Sequence, residues 1–217
     1  MIDGVVFDLD GVLVQTEEIW DEVRDAFIRE RGGRYDAGAQ RAMMGMSSTE
    51  WSRYIHDELG VAETAEEIST AVVRRMAARY EERLPLVEGA REAVERLAAR
   101  WPLAVASSSN RPLIDAVLRL GELAPFFRAT VSSEEVARGK PAPDVYLEAA
   151  RRLGVPPDRC VAIEDSHSGI RSARAAGMRV VAIPNASYPP DDEALALADV
   201  VLRSLAELDV AAVDPAE

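Results

Sequence analysis

Two pairs of acidic residues, each at the end of an apolar run, could perform chemistry in this sequence. Asp8 and Asp10 follow "IDGVVF" and precede Gly11. Glu164 ends the run "CVAIE", and Asp165 comes next. Like charges held close together raise one another's pKa unless a cation neutralises them. A single acidic residue at a strand end usually caps a turn, but two such pairs favour a hard cation such as Mg²⁺.

Lys140 is the only lysine among 25 Lys and Arg residues, and it stands in "RGKPAP". One explanation is codon bias that leaves a single lysine in an arginine-rich chain. The other is that this position needs the compact point charge of an ammonium rather than the broad, planar guanidinium of an arginine.

Ser107, Ser108 and Ser109 follow the apolar run "LAVA" and precede "NRPLID". Hydroxyl groups beside the free N–H groups of a helix N-terminus form an anion site. Serines are also ordinary N-cap residues, so this signal is weak when taken alone.

Short apolar runs alternating with helix-length segments predict the elements that position these residues. We predict strands at 2–8, 103–107, 128–132, 160–164, 179–183 and 199–202, and helices at 111–121, 142–154 and 168–177. This alternation is typical of an α/β fold with a doubly wound parallel sheet. In such sheets the functional crevice lies beyond the carboxyl ends of the strands, so both acidic pairs converge if strands one and four are neighbours.

About eighty residues between the first and second strands read instead as helices, at 17–32, 47–60 and 64–84. Ser47 with Glu50, and Thr64 with Glu67, have the spacing of a capping box. We therefore predict an α/β core formed by 1–14 and 85–217, with a helical cap at 15–84. We further predict a surface loop at 184–193 and a loose tail after about 209.

The composition limits the partners and the location of the protein. The net charge of −13 argues against nucleic acid and anionic membranes, because both require a basic surface. No apolar stretch is long enough to span a bilayer, and the N-terminus lacks the basic region of a signal peptide. Cys160 lies in an apolar run that indicates a buried thiol. We expect a cytoplasmic monomer acting on a small molecule.

Four motifs, in order along the chain, resemble those of the haloacid dehalogenase-like hydrolase superfamily. They are Asp8-x-Asp10-Gly11, Ser107 at a strand end, Lys140 in "GKPAPD", and Glu164-Asp165 in "EDSHSG". The resemblance covers essentially the whole chain and is closest to the branch of phosphatases and β-phosphoglucomutases with a helical cap. It implies a Rossmann-like core and Mg²⁺ as cofactor.

The resemblance also implies a role for each motif residue. Asp8 would attack phosphorus to give an aspartyl-phosphate, and Asp10 would act as general acid and then as general base. Ser107 and Lys140 would bind the non-bridging phosphoryl oxygens.

The implied metal ligands overlap with the catalytic residues. Mg²⁺ would be held by Asp8, by the backbone carbonyl of Asp10 and by Asp165, with Glu164 as a helper. Dehalogenases of the superfamily lack the second aspartate, so Asp10 favours phosphate chemistry.

Departures from the mutase pattern favour hydrolysis. β-Phosphoglucomutases carry a histidine where this sequence has Trp20, and an arginine after a "G-x-S" segment that here reads Gly45-Met46-Ser47-Ser48. Both residues help a mutase to hold a bisphosphate and to delay the attack of water.

Substrate choice is expected to lie with the cap, which closes over the site. The candidate substrate-binding residues are Thr16, Glu17, Trp20, Met46, Ser48, Trp51 and Arg75 from the cap, and Ser108 and Asn110 from the core. Trp20 and Trp51 also have the spacing of cap core residues, and Arg75 also suits a solvated helix face.

We therefore predict a Mg²⁺-dependent phosphomonoesterase that acts on a small phosphorylated metabolite such as a sugar phosphate. One alternative is a β-phosphoglucomutase-type phosphotransferase. Another, of a different class, is a non-enzymatic phospho-accepting receiver-like domain, although a receiver has no use for a large cap.

Overall fold

The centre of the molecule is a six-stranded sheet, seen in a computed structural model that describes residues 1–43, 46–185 and 188–215. The strands are β1 (Gly4–Phe7), β2 (Leu103–Ser107), β3 (Phe127–Ser132), β4 (Cys160–Glu164), β5 (Arg179–Ala182) and β6 (Val200–Val201). All neighbouring strands are parallel, in the order β3-β2-β1-β4-β5-β6. The predicted doubly wound parallel sheet is confirmed.

β1 lies between β2 and β4, which is the arrangement needed to bring both acidic pairs together. Val6 of β1 is opposite Ala104 on one side and Ala162 on the other. The three strands therefore end at the same edge of the sheet, where the crevice of an open α/β sheet forms.

Helices surround the sheet. They are α1 (Glu17–Glu30), α2 (Ala37–Met43), α3 (Ser48–Leu59), α4 (Ala65–Glu82), α5 (Ala90–Ala98), α6 (Arg111–Leu120), α7 (Asp144–Leu153), α8 (His167–Ala175), α9 (Asp192–Leu195) and α10 (Val210–Val213). Both predicted capping boxes are present, at the starts of α3 and α4. None of the helices within the described ranges is long and apolar enough to cross a membrane.

Four helices, α2, α5, α9 and α10, were absent from the sequence prediction. α2 is short, and its start is marked by Asp36, whose Oδ1 accepts hydrogen bonds from the backbone N–H groups of Gly38 and Ala39. α5 buries Ala90, Ala93, Val94 and Leu97. That spacing is the apolar stripe of an amphipathic helix, so the signal for α5 was present in the sequence.

Apolar side chains cover both faces of the sheet. Along β1, Val5 and Phe7 belong to one core and Val6 to the other, because successive side chains point to opposite faces. The core that contains Phe7 continues into α1, α3 and α4 through residues such as Phe27 and Trp51. Continuous burial on both sides explains why the strands read as unbroken apolar runs.

We call the helices α1–α4 the cap helices. The chain passes from the sheet to these helices and back through two segments that are hydrogen-bonded to each other. The backbone N–H of Gln15 donates to the Pro85 carbonyl at 2.8 Å, and that of Val87 donates to the Leu13 carbonyl at 3.0 Å. These bonds lie at the predicted boundaries 14/15 and 84/85. The division into two domains at these boundaries stays a prediction.

The prediction of a loose tail after about 209 is wrong as far as 215, where the described residues end. α10 occupies Val210–Val213, and Asp209 caps it by accepting a hydrogen bond from the backbone N–H of Ala212. Asp214 is only 4% exposed and accepts a hydrogen bond from the backbone N–H of Ile2. The tail is ordered because it pairs with the start of the chain, which a local pattern does not reveal.

Candidate active site

The carboxyl ends of β1 and β4 bring the two acidic pairs together. The backbone N–H of Asp8 donates to the Ile163 carbonyl at 2.9 Å, so Asp8 lies directly beside the end of β4. Gly11 has a φ of 87°, and a Cβ atom there would overlap the carboxylate of Asp165. Glycine is thus required at this position both for the turn and for the approach of Asp165 to the first loop.

Lys140 lies between two of these carboxylates. Its Nζ donates to Asp8 Oδ1 and to Glu164 Oε1, both at 2.6 Å, and lies 3.4 Å from the Tyr146 hydroxyl. Lys140 is only 8% exposed. The lone lysine of the sequence is therefore a buried ammonium in contact with the predicted nucleophile.

Glu164 has hydrogen bonds to both carboxylate oxygens. Oε1 accepts from Lys140 and, at 2.8 Å, from the Tyr146 hydroxyl. Oε2 accepts from the backbone N–H groups of Asp165 and Ser166 and from the Ser166 hydroxyl. A Cβ atom on Gly169 would overlap this carboxylate. In this arrangement Glu164 holds Lys140 in place.

The buried carboxylates of Asp8, Glu164 and Asp165 lie near a single ammonium, that of Lys140. Their pKa values therefore shift in different directions. Burial raises the pKa of Glu164, but the Lys140 charge and hydrogen bonds outweigh it, so the pKa falls below its ordinary value. Burial, reinforced by neighbouring carboxylates, raises the pKa of both Asp8 and Asp165. Burial lowers the pKa of Lys140, yet Asp8 and Glu164 outweigh it and keep the amine charged.

The residues present fit a Mg²⁺ ion. Asp8, Glu164 and Asp165 each offer an oxygen, and these oxygens all lie within 4.8 Å of one another. Asp165 Oδ1 is buried and has no hydrogen-bond partner among the described residues. A buried anionic oxygen without a partner is costly, and Mg²⁺ prefers carboxylate oxygens. Asp8 and Asp165 are the better candidate ligands because both oxygens of Glu164 already accept hydrogen bonds.

The Asp10 carboxylate has a separate set of partners. Its Oδ1 accepts from the Thr16 hydroxyl at 2.6 Å, and its Oδ2 accepts from the Ser109 hydroxyl at 2.7 Å. The Ser107 hydroxyl lies 3.4 Å from the same Oδ2. These hydroxyls hold the Asp10 carboxylate, which is not among the three carboxylates whose oxygens lie within 4.8 Å of one another. Ser109 was predicted only as part of the candidate anion site after β2, without a role of its own.

The serines that follow β2 occupy different positions relative to the cavity. Ser107 is fully buried, and its Oγ accepts from the backbone N–H of Ser109 at 2.9 Å. Ser108 and Ser109 line the cavity in front of Asp8, whereas Ser107 and Asn110 do not. Asn110 instead accepts a hydrogen bond from the Ser48 hydroxyl at 2.6 Å, which joins the core to the start of α3.

A cavity of about 170 Å³ extends from the carboxylates to the cap helices. The predicted site residues that line it are Asp8, Asp10, Thr16, Glu17, Trp20, Met46, Ser48, Trp51, Ser108, Lys140 and Asp165. Arg75 lies elsewhere and forms an ion pair with Glu30, which agrees with a solvated helix face. Gly45, part of the segment compared with the mutases, lies outside the described residues.

Several lining residues were not predicted. Arg24 and Tyr35 come from the cap helices and the loop after α1, and Asn185 and Tyr188 come from the segment 184–193. The prediction that this segment is only a surface loop is wrong for Asn185, which is 7% exposed. Positions 186 and 187 of the segment lie outside the described residues. No signal in the sequence distinguishes Arg24 from the many other arginines of the chain.

Comparisons with known proteins show the family of the chain. The model of the haloacid dehalogenase-like hydrolase family matches residues 2–177. Hexitol phosphatase B from Escherichia coli is 32% identical, over 94% of this chain and 93% of its own length. Fructose-1-phosphate phosphatase YqaB from Escherichia coli is 36% identical, over 82% and 94%. One further curated relative is longer, and the chain spans 54% of its length.

Solved structures share the whole fold. The crystal structure of CbbY from Rhodobacter sphaeroides in complex with phosphate has a TM-score of 0.88 and 30% identity, and the match covers 99% of this chain and 100% of that one. The predicted class of enzyme, a phosphoric monoester hydrolase, is confirmed by the named phosphatases among the relatives. As its four motifs predict, the chain belongs to the haloacid dehalogenase-like hydrolase family.

Proposed function

We propose that this chain is a Mg²⁺-dependent phosphomonoesterase that hydrolyses a small sugar phosphate or related alcohol phosphate through an aspartyl-phosphate on Asp8. The observation that supports this proposal most is the contact between Lys140 and Asp8 at the end of β1. The ammonium holds the carboxylate in one orientation and supplies positive charge where an anionic phosphoryl group must approach. Fixed charges of this kind stabilise a transition state without reorganisation.

In the first step, a carboxylate oxygen of Asp8 forms a bond to phosphorus while the ester P–O bond breaks. Asp10 gives its proton to the leaving alcohol oxygen, and the hydroxyls of Thr16 and Ser109 hold its carboxyl group in place. Lys140 and the serine segment after β2 bind the non-bridging oxygens. Mg²⁺, when bound by Asp8 and Asp165, supplies charge that offsets the repulsion between carboxylate and phosphate.

In the second step, water attacks phosphorus and the bond to Asp8 breaks, which releases inorganic phosphate. Asp10, now ionised, takes the proton of that water and is ready for the next cycle. The cap helices cover the site during both steps and exclude bulk water.

The substrate class follows from the cavity and the relatives. A volume of about 170 Å³ suits a compact alcohol phosphate, and the named relatives act on a hexitol phosphate and on fructose 1-phosphate. Hydrolysis is favoured over phosphoryl transfer between sugar positions. Trp20 and Ser48 line the cavity at positions where the mutases that this chain resembles carry histidine and arginine.

The test is a screen of phosphomonoesters in the presence of Mg²⁺, with Asp8→Asn as the inactive control and EDTA to remove the metal. We expect phosphate release from at least one compact sugar or polyol phosphate, lost in Asp8→Asn and in EDTA. The proposal fails if no ester is hydrolysed or if Asp8→Asn retains activity. Conversion of β-glucose 1-phosphate to glucose 6-phosphate without phosphate release would instead support the mutase.

A further inference from the structure

Arg24, on the cap helix α1, lines the same cavity as Asp8, Asp10 and Asp165. The central carbon of its guanidinium group lies 4.5 Å from the centre of the Trp20 ring and 5.0 Å from that of Trp51. The two indole rings also contact each other edge to face. Aromatic rings therefore fix the position of this cation.

No carboxylate within the described part of the chain forms an ion pair with Arg24, and its Nε is buried without a hydrogen-bond partner. The obvious partner is Asp21, which precedes it by three residues on the same helix and also lines the cavity. Asp21 instead accepts a hydrogen bond from the Tyr35 hydroxyl. The guanidinium N–H groups thus remain available to a ligand.

The charge of the cavity explains why a cation is useful at this end. Five acidic side chains line it, namely Asp8, Asp10, Glu17, Asp21 and Asp165, whereas Lys140 is already engaged by two carboxylates. A second anionic group in this cavity would be repelled by these side chains unless a cation met it. Burial lowers the pKa of Arg24 to about 10, so the group is still charged at neutral pH.

We propose that Arg24 binds a second anionic group, a carboxylate or a second phosphate, on the part of the substrate that leaves as the alcohol. A guanidinium presents parallel N–H groups that match both anions in the same bidentate geometry. This inference rests on the proposed phosphatase function and narrows its substrate class. A purely structural Arg24, which only holds Trp20 against Trp51, would bind neither group.

The test compares matched substrates in the same enzyme preparation. The carboxylate arm pairs 3-phosphoglycerate with glycerol 3-phosphate, and the phosphate arm pairs fructose 1,6-bisphosphate with fructose 1-phosphate. In each arm the ratio of kcat/KM for the charged ester over its partner is measured, a quantity independent of the fraction of folded enzyme. The proteins are wild type, Arg24→Gln, Arg24→Lys and the control Arg79→Gln, whose residue pairs with Glu22 outside the cavity.

In wild type and in Arg79→Gln we expect a ratio above one in at least one arm, and that arm identifies the anion. Arg24→Gln should lower this ratio at least tenfold, a change equal to about 1.4 kcal/mol. Arg24→Lys should lower it less, because the charge remains but the planar fork is lost. Ratios of one or below in both wild-type arms, or a ratio unchanged in Arg24→Gln, would overturn the inference alone. If wild type hydrolyses none of the four esters but does hydrolyse another ester of the screen, the inference alone is overturned, whereas hydrolysis of no ester at all overturns the proposed function as well.

Discussion

The two ends of the cavity are built in opposite ways. At the catalytic end, Lys140 and Glu164 use their charged groups in short hydrogen bonds to other buried groups. At the cap end, Arg24 is held by aromatic rings and forms no ion pair or hydrogen bond with an acidic residue among the described residues. The first arrangement is complete before a substrate arrives, whereas the second is completed by the substrate.

This difference reflects what each end has to do. A catalytic group must have a fixed position, because charges that are already oriented stabilise the transition state at no cost in reorganisation. A recognition group must exchange water for a ligand, so protein partners that satisfied it would compete with the substrate. Removing a group at the catalytic end should therefore lower the enzymatic activity by a larger factor than removing one at the cap end.

The largest expected effect among substitutions that keep charge is that of Lys140→Arg. The ammonium contacts two carboxylates at 2.6 Å in a site that is 8% exposed, and a planar guanidinium needs more room. We expect kcat to fall by about 10²–10³, the usual loss when one electrostatic contact to the transition state is removed. The measurement is steady-state hydrolysis of the best ester found in the screen.

The matched control is Arg138→Lys, the reverse exchange two residues earlier on an exposed side chain that pairs with Asp144. It should keep wild-type activity. A fully active Lys140→Arg would mean that the lone lysine reflects codon usage, and the contrast between the two ends would lose its main support.

A smaller effect is expected where the cap meets the core. The Ser48 hydroxyl donates to Asn110 Oδ1, and Asn110 Nδ2 donates to Glu134 Oε1, both at 2.6 Å. Ser48→Ala removes one buried hydrogen bond, which is worth about 0.5–1.5 kcal/mol. We expect the closed cap to be less populated, so that KM rises about two- to tenfold while kcat changes little.

The neighbouring exposed residue supplies the control, and Thr49→Ala should leave KM at its wild-type value. A Ser48→Ala enzyme with a large loss of kcat would instead place Ser48 at the catalytic end. Equal KM values in the two variants would show that this contact does not hold the cap closed.

The strands and the catalytic motifs could be predicted because local patterns specify them. A strand buried on both faces reads as an unbroken apolar run, and Asp8 directly follows one such run while Glu164 ends another. The partners of these residues depend on distant contacts. Tyr146 donates a hydrogen bond to Glu164, 18 positions away, and no periodic pattern in the sequence predicts this contact. The ordered tail likewise depends on the bond between Ile2 and Asp214, which spans nearly the whole chain.

The cap end could be predicted only as a set of candidates. The sequence left open whether Trp20 and Trp51 belong to the cap core or to the substrate site. In the structure Trp51 lies in the core, Trp20 packs against it, and both line the cavity. Trp51 is 1% exposed, yet both rings line the cavity. Arg24 was missed because an unpaired arginine looks like any other arginine in a helix. Its difference lies in the hydrogen bond from Tyr35 to Asp21, which only the folded structure reveals.

The central claim, that Asp8 is the nucleophile, is tested most directly with Asp10→Asn and p-nitrophenyl phosphate. The nitrophenolate group leaves without a proton, so the first step should proceed in this variant, whereas the second step lacks its general base. We predict a burst of nitrophenol equal to the enzyme concentration, and a phosphoryl group on Asp8 in the mass spectrum of the quenched protein. Steady turnover without a burst, or a phosphoryl group on any residue other than Asp8, would contradict the account.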